Sequence, residues 1–271
     1  MFSQHNVEQN IWSLELDETG RAAGTAVRAF DSSKNEFNPR FSPDGTKVAF
    51  ESSRSGYHEI WVCRSIGAPC DQLTDMRTYA GSPDWSPNGQ WIAFDDVGSV
   101  YVVSAGGGKP RRLAQGLAPR WSNDGQWVYF TYRAQSYRIA LSGGDPQQLT
   151  HPGESGATQS TDGGWLYYYK NAGGSLHRAR FSGGESMEVL TGVAERNYVV
   201  LDSGIWYFTP NTKEGSELRY YDFATKFNRA VFRTSRPIFF GVSLSPDRRR
   251  ILFSQTDRSP SRDLMLVENF R

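Results

Sequence analysis

The side chains able to do chemistry are few and scattered. Nucleophilic catalysis needs a serine or cysteine beside a base that takes its proton. No Gly-x-Ser-x-Gly elbow, the turn that exposes a nucleophilic serine, occurs. The nearest string, Gly241-Val242-Ser243-Leu244-Ser245, lies in a segment that recurs along the chain. The histidines His5, His58, His151 and His177 have no second histidine two or four residues away. They read as exposed loop residues, with His58 or His151 as candidates to line a rim. Asp44, Asp124, Asp162 and Asp247 recur at one site each, too far apart to share an ion, and read as turn formers. Asp95-Asp96 reads as a solvated loop pair. The expectation is therefore no catalytic residue, no metal and no cofactor.

The elements that would carry these residues come from a repeat. Phe41-Ser42-Pro43-Asp44-Gly45 returns as Trp85-Ser86-Pro87-Asn88-Gly89 and Trp121-Ser122-Asn123-Asp124-Gly125. Weaker copies are Gln159-Ser160-Thr161-Asp162-Gly163 and Leu244-Ser245-Pro246-Asp247-Arg248, with a degenerate one at Val199-Val200-Leu201-Asp202-Ser203. The fourth positions (44, 88, 124, 162, 202 and 247) set a period of about forty residues. Each turn is followed by an apolar run such as Val48-Ala49-Phe50 or Ile92-Ala93-Phe94, then by a third run such as Ile60-Trp61-Val62, then by a Leu-Thr strand, Leu73-Thr74 or Leu149-Thr150. β-Branched and aromatic runs punctuated by Gly, Pro, Asn and Asp are strand-and-turn chemistry. In these turns Pro fixes φ and Gly takes the positive φ. Four short strands per forty residues, repeated radially, describe an all-β chain forming a single β-propeller. Six blades of four antiparallel strands are expected, with seven as the second choice.

The Ser-Pro-Asp-Gly turn, the apolar run ending in Phe, the Ile-Trp strand and the Leu-Thr strand resemble the WD40-like repeat of TolB-type propellers. The resemblance is strong over residues 36–150 and fades in the fifth copy. The chain also resembles the C-terminal propeller of large acidobacterial proteins that begin with a winged-helix regulator or a Ser/Thr kinase, and its ending, Asp263 to Arg271, looks like theirs. The resemblance implies protein interaction, a sensor input in the regulator type, and a propeller lying outside the cytoplasmic membrane, hence periplasmic. The WD dipeptide of the eukaryotic subclass is missing.

The whole of 1–271 reads as one propeller domain. Residues 1–35 hold N-terminal strands; 36–80, 81–115, 116–153, 154–193 and 194–236 are successive blades; 237–271 is a last blade lacking its own fourth strand. Ala26 to Arg28 is expected to close the ring as that fourth strand, removing the open edges. Leu264 to Val267 is expected as the last blade's third strand. Phe2 to Trp12 aligns onto Phe50 to Trp61, which leaves Ile11 to Leu16 as a surplus strand. It either packs beside the last blade or is the stump of an upstream blade in a longer protein, and the second account is preferred.

Composition closes off other classes. Thirty basic against 29 acidic residues give a net charge of +1 and no broad nucleic-acid footprint. No apolar run reaches 18 residues, so no segment inserts into a membrane. All eight tryptophans occupy repeat positions, as blade packing demands, and form no sugar-stacking platform. Cys63 and Cys70 face one another across a hairpin turning at Ile66-Gly67; two separate thiols are the favoured reading, with a disulfide open in an oxidising compartment.

Function is then expected in the loops that gather at one end of the channel, between blades and between second and third strands. Candidate ligand- or partner-binding residues there are Tyr57, His58, Arg77, Tyr79, Arg133, Glu195, Arg196 and Tyr198. Arginine and tyrosine are enriched at binding hot spots. The expectation is a non-enzymatic binding or sensing module, a monomeric domain of a longer chain, whose partner is a protein, peptide or small envelope ligand. The alternative is an enzyme-associated propeller of the peptidase-gating, lyase or lactonase type.

Overall fold

A computed structural model describes residues 3–4, 8–30, 32–170, 174–257 and 263–264. Six four-stranded antiparallel sheets are arranged as the blades of a propeller. Blades 1 to 5 each run from their innermost strand outward in chain order. The innermost strands are Glu36–Phe41, Ala80–Trp85, Leu117–Trp121, Glu154–Gln159 and Tyr198–Val200, and Ile238–Leu244 is the innermost strand of blade 6. Among the described residues no helix is long and apolar enough to cross a membrane.

Each innermost strand leads into the repeated turn, and the turn explains its own sequence. Ser42 Oγ donates to Asp44 Oδ1 at 2.5 Å and accepts from the Lys47 N–H at 2.9 Å. Asp44 Oδ1 in turn accepts from the Thr46 N–H at 3.0 Å. The same triple contact recurs at Ser86/Asn88, Ser122/Asp124, Ser160/Asp162 and Ser245/Asp247. The residue after the anchor takes positive φ: 71° at Gly45, 68° at Gly89 and 59° at Arg248, where a side chain sits in a glycine's conformation. In blade 5 Val200 replaces the serine, the turn tightens to a Leu201 N–H bond onto Gly204 O, and Asp202 accepts from Thr161 of the neighbouring turn instead.

Second strands are buried on both faces, because each is sandwiched between two neighbouring blades. Val48–Ser52 and Gly204–Phe208 are buried throughout. Successive side chains then serve opposite interfaces, as the two-residue strand period requires. Val48 and Phe50 pack toward blade 6, while Ala49 packs toward blade 2. Six apolar clusters result, one at each blade-to-blade junction. Trp85, Trp121 and Trp206 lie within them, and Trp12, Trp61, Trp91 and Trp165 pack against them.

Ring closure differs from the sequence expectation. Gln9–Glu15 pairs along its whole length with the second strand of blade 6, Arg250–Thr256, from Gln9↔Thr256 to Glu15↔Arg250. Val27–Arg28 then pairs with Ser13 and Trp12 as the fourth strand. The segment expected to be surplus is thus the third strand of blade 6, and a two-plus-two closure replaces the three-plus-one closure. The physical reason is the burial of Ile11 and Leu14, both fully inaccessible, which fill the junctions with blade 1 and blade 5. Asp263–Leu264 pairs instead with Ser3–Gln4 in a separate two-stranded ladder. The rest of the expected Leu264 to Val267 strand lies outside the described residues, as does His5.

The cysteines are also corrected. Cys63 and Cys70 are directly paired across the third and fourth strands of blade 1 and form a disulfide. The hairpin turns through Ser65 to Ala68, with Gly67 at φ 77°, and this brings the two side chains together.

Candidate functional site

In an antiparallel blade the inter-blade segments and the second-to-third-strand loops fall on one face, here called upper, and the repeated turns on the other. The innermost strands enter the channel from the upper face, and each carries the same backbone device. Six residues before the turn anchor, the chain adopts positive φ in every blade: Asn38 at 51°, Ser82 at 54°, Ala118 at 54°, Gly156 at 70°, Arg196 at 60° and Gly241 at 101°. In all blades but the fifth this residue falls within a register shift of the ladder between first and second strands. A bulge of this kind re-aims the side chains that follow. Two positions later, four before each anchor, the side chains line the channel: Arg40, Asp84, Arg120, Thr158, Tyr198 and Ser243, in ring order.

The space at this ring is about 230 Å³ and opens to solvent. Its charge is unbalanced. Asp84 is the one carboxylate in the lining and is shared by Arg40 at 3.5 Å and Arg120 at 3.7 Å. Both distances exceed those of a well-made charge-assisted hydrogen bond, about 2.7–2.9 Å. Asp84 is also committed to the fold, accepting from the Trp121 N–H at 2.9 Å through Oδ2. A third guanidinium, Arg196, donates through Nη2 to Ser82 Oγ at 2.5 Å and lies over the Phe240 ring at 4.9 Å. Its Nε is buried with no hydrogen-bond partner. Burial, and then the Arg120 charge, lower the Arg40 guanidinium to about 9, so it remains charged at neutral pH. Burial likewise lowers Arg196, opposed by Asp95. Behind the lining, burial raises the Asp95 carboxyl above its ordinary range.

Above the channel lies an aromatic rim. His58 and Tyr79 stack with ring centroids 4.2 Å apart, and Phe37 adjoins His58 at 6.0 Å. His58 Nδ1 bonds Glu51 Oε1 at 2.7 Å, and Glu51 Oε2 accepts from Asn38 Nδ2 at 3.1 Å. Tyr57, Tyr79, Val97, Leu117 and Phe240 stand exposed here, on blades 1, 2, 3 and 6. The pair Asp95-Asp96, expected in a solvated loop, is buried at the end of a strand and holds the upper loops. Asp96 accepts from Thr78 Oγ1 at 2.5 Å and from the Tyr79 N–H at 2.9 Å, and Asp95 from the Ala118 N–H at 2.5 Å.

Comparison with known proteins places this architecture. No family model matches the chain. Tricorn protease homolog 1 of Streptomyces coelicolor is 34% identical over 98 residues, 35% of this chain and 8% of that protein. A TolB homolog of Chlorobium chlorochromatii is 40% identical over 76 residues, 27% of this chain and 16% of that one. The chain thus spans less than a fifth of the length of either curated relative. The solved structure of putative TolB from Agrobacterium tumefaciens matches 94% of this chain and 100% of its own, with a TM-score of 0.74 at 16% identity. The fold is a TolB-like six-bladed β-propeller.

On this TolB-like scaffold the residues singled out from sequence separate into groups. Arg196 and Tyr198 lie in the channel, where Tyr198 donates to Gly156 O at 3.0 Å and burial raises its phenol well above the ordinary range. His58, Tyr79 and the exposed Tyr57 belong to the rim. Arg77 instead pairs with Asp75 in solvent at 3.0 Å, Arg133 lies over the neighbouring Tyr132 ring, and Glu195 is exposed outside the channel lining. Arg40, Asp84, Arg120, Thr158 and Ser243 were not anticipated. The available signal was positional, four residues before each turn anchor.

Proposed function

We propose that the chain is a non-enzymatic binding module whose upper rim docks a segment of a partner protein or peptide outside the cytoplasm. The observation that carries this reading is the exposed arc of Tyr57, Tyr79, Val97, Leu117 and Phe240. Among the described residues, five of the eight large apolar side chains standing most exposed lie on this face. Clustered exposed apolar side chains mark interaction surfaces, and tyrosines on rigid supports are favoured anchors. The Cys63–Cys70 disulfide supports an extracytoplasmic location, since such bonds persist in oxidising compartments.

The test is binding of the purified protein to a panel of envelope proteins and peptides derived from them by biolayer interferometry. The double variant Tyr57→Ser/Tyr79→Ser should weaken a true partner roughly tenfold or more, while Asp162→Asn in a lower turn leaves it unchanged. A panel with no binder sensitive to the two tyrosines would sink the reading. The similarity to a tricorn protease homolog supports a second reading, a propeller that admits peptides to a peptidase. Co-purification with a peptide-hydrolysing domain, with the rim variants altering only substrate entry, would favour it.

A further inference from the structure

The channel itself, below the rim, holds a chemistry that peptide docking on the rim does not use. Three guanidinium groups, Arg40, Arg120 and Arg196, converge on about 230 Å³ with Asp84 as the one carboxylate among the lining residues. Asp84 meets Arg40 and Arg120 only at 3.5 and 3.7 Å. Arg196 Nε is buried without a partner. Two hydroxyls complete the ring. Ser243 Oγ accepts from the Phe41 N–H at 3.1 Å, which leaves its proton to be donated, and Thr158 stands on blade 4, two blades away around the ring. Other acids lie behind the lining: Asp95 accepts from the Ala118 N–H and offsets part of the Arg196 charge, and Glu51 is engaged with His58 and Asn38. Arg40 Nη1 donates to Val242 O and Arg120 Nη1 to Pro119 O at 3.4 Å, so neutral carbonyls meet part of the demand, and a carboxylate or phosphate bound by two N–H groups supplies the negative charge they lack.

We propose that the channel is a binding site for a small free anion, a di- or tricarboxylate or a phosphate group, held by Arg40, Arg120 and Arg196 with Thr158 and Ser243. The size of the cavity sets the class. It falls below the roughly 300–1,000 Å³ of pockets that take drug-sized ligands, so a compact anion fits and an oligosaccharide does not. The six positive-φ residues fix the directions of the lining side chains, so the site is pre-formed. The proposal stands whether or not a peptide docks on the rim, because the two use different residues.

The test is isothermal titration with inorganic phosphate in one arm and with succinate and citrate in the other, against sodium chloride at matched ionic strength. Saturable binding in either arm, absent with chloride, supports the site, and the stronger arm identifies the anion. Arg120→Gln should weaken binding about tenfold or more, the loss of one charge-assisted contact. Thr158→Asp, which leaves every ion pair intact, should abolish it. Asp84→Asn keeps an acceptor for the Trp121 N–H while removing the competing charge, and should tighten it. Heats no greater than those with chloride, or an Asp84→Asn variant that binds more weakly than wild type while remaining folded, overturn the proposal. Tyr57→Ser/Tyr79→Ser should leave anion binding unchanged, which separates this site from rim docking.

Discussion

At the scale of single residues, the repeated turn is a small proton-linked device. The Ser42 hydroxyl bond, then the Thr46 N–H and hydroxyl, depress the Asp44 carboxyl to about 2. Asp124, Asp162 and Asp247 are lowered for the same reason, first by Ser122, Ser160 and Ser245. A carboxyl whose pKa falls on folding adds stability that is complete above its unfolded value. That stability is lost as pH drops through the folded value. For Asp44 the window runs from about 4 down to about 2. Blade 2 shows that the geometry survives without the charge, since Asn88 accepts from Ser86 Oγ at 2.7 Å and from the Gln90 N–H at 3.1 Å. Asp44→Asn should therefore fold normally at pH 7 and show a shallower decline of the urea midpoint between pH 4 and 2. An unchanged acid profile would mean the turn carboxylate is not linked to folding.

At the scale of elements, the innermost strand shows what was legible in the sequence and what was not. The turn anchors could be read because their chemistry is uniform: Ser, Pro, Asp and Gly each have one conformational use there. The channel positions could not, because Arg40, Asp84, Arg120, Thr158, Tyr198 and Ser243 span five residue types, with arginine alone recurring. Their common feature is the backbone six residues before the anchor. Asn38, Ser82, Ala118, Gly156, Arg196 and Gly241 do not announce positive φ as a set. Strand chemistry thus declared the blades, while the radial aim of the side chains depended on a bulge visible only in three dimensions. Ring closure was misread for a related reason. Ile11 to Leu16 resembles any third strand, and only pairing shows which blade it completes. The bulge also yields a sharp prediction. A Cβ at Gly241 would overlap Asn38 Cα and lie 3.0 Å from Asn38 N, at a φ of 101°. Both obstacles are backbone, so no rotamer change relieves them. Gly241→Ala should cost about 2–3 kcal/mol in urea unfolding. A loss under about 0.5 kcal/mol, the range of ordinary surface substitutions, would show that the junction between blades 6 and 1 is looser than described.

At the scale of the whole molecule, the ring is held shut by a ladder between the two ends of the chain. Six apolar junctions of similar kind surround the channel, yet among the six blades only blade 6 joins segments more than two hundred residues apart. Loop-closure entropy sets a cost for that pairing, and the offsetting burial comes from few side chains. Ile11 is fully inaccessible and packs with Phe50 and Leu252 in the junction to blade 1. Leu176, equally buried in blade 4, belongs to a sheet whose four strands are consecutive. Ile11→Ala and Leu176→Ala should cost similar amounts overall, about 2–4 kcal/mol each. Their local effects should diverge. Ile11→Ala weakens the one ladder that can peel off without unfolding a contiguous blade, so amide exchange should accelerate selectively along Gln9–Glu15 and Arg250–Thr256. Leu176→Ala should raise exchange across the ring without singling out those strands. Equal acceleration in both variants would mean that the propeller opens as one cooperative unit, and the guanidinium-lined channel would then have no separate seam through which to breathe.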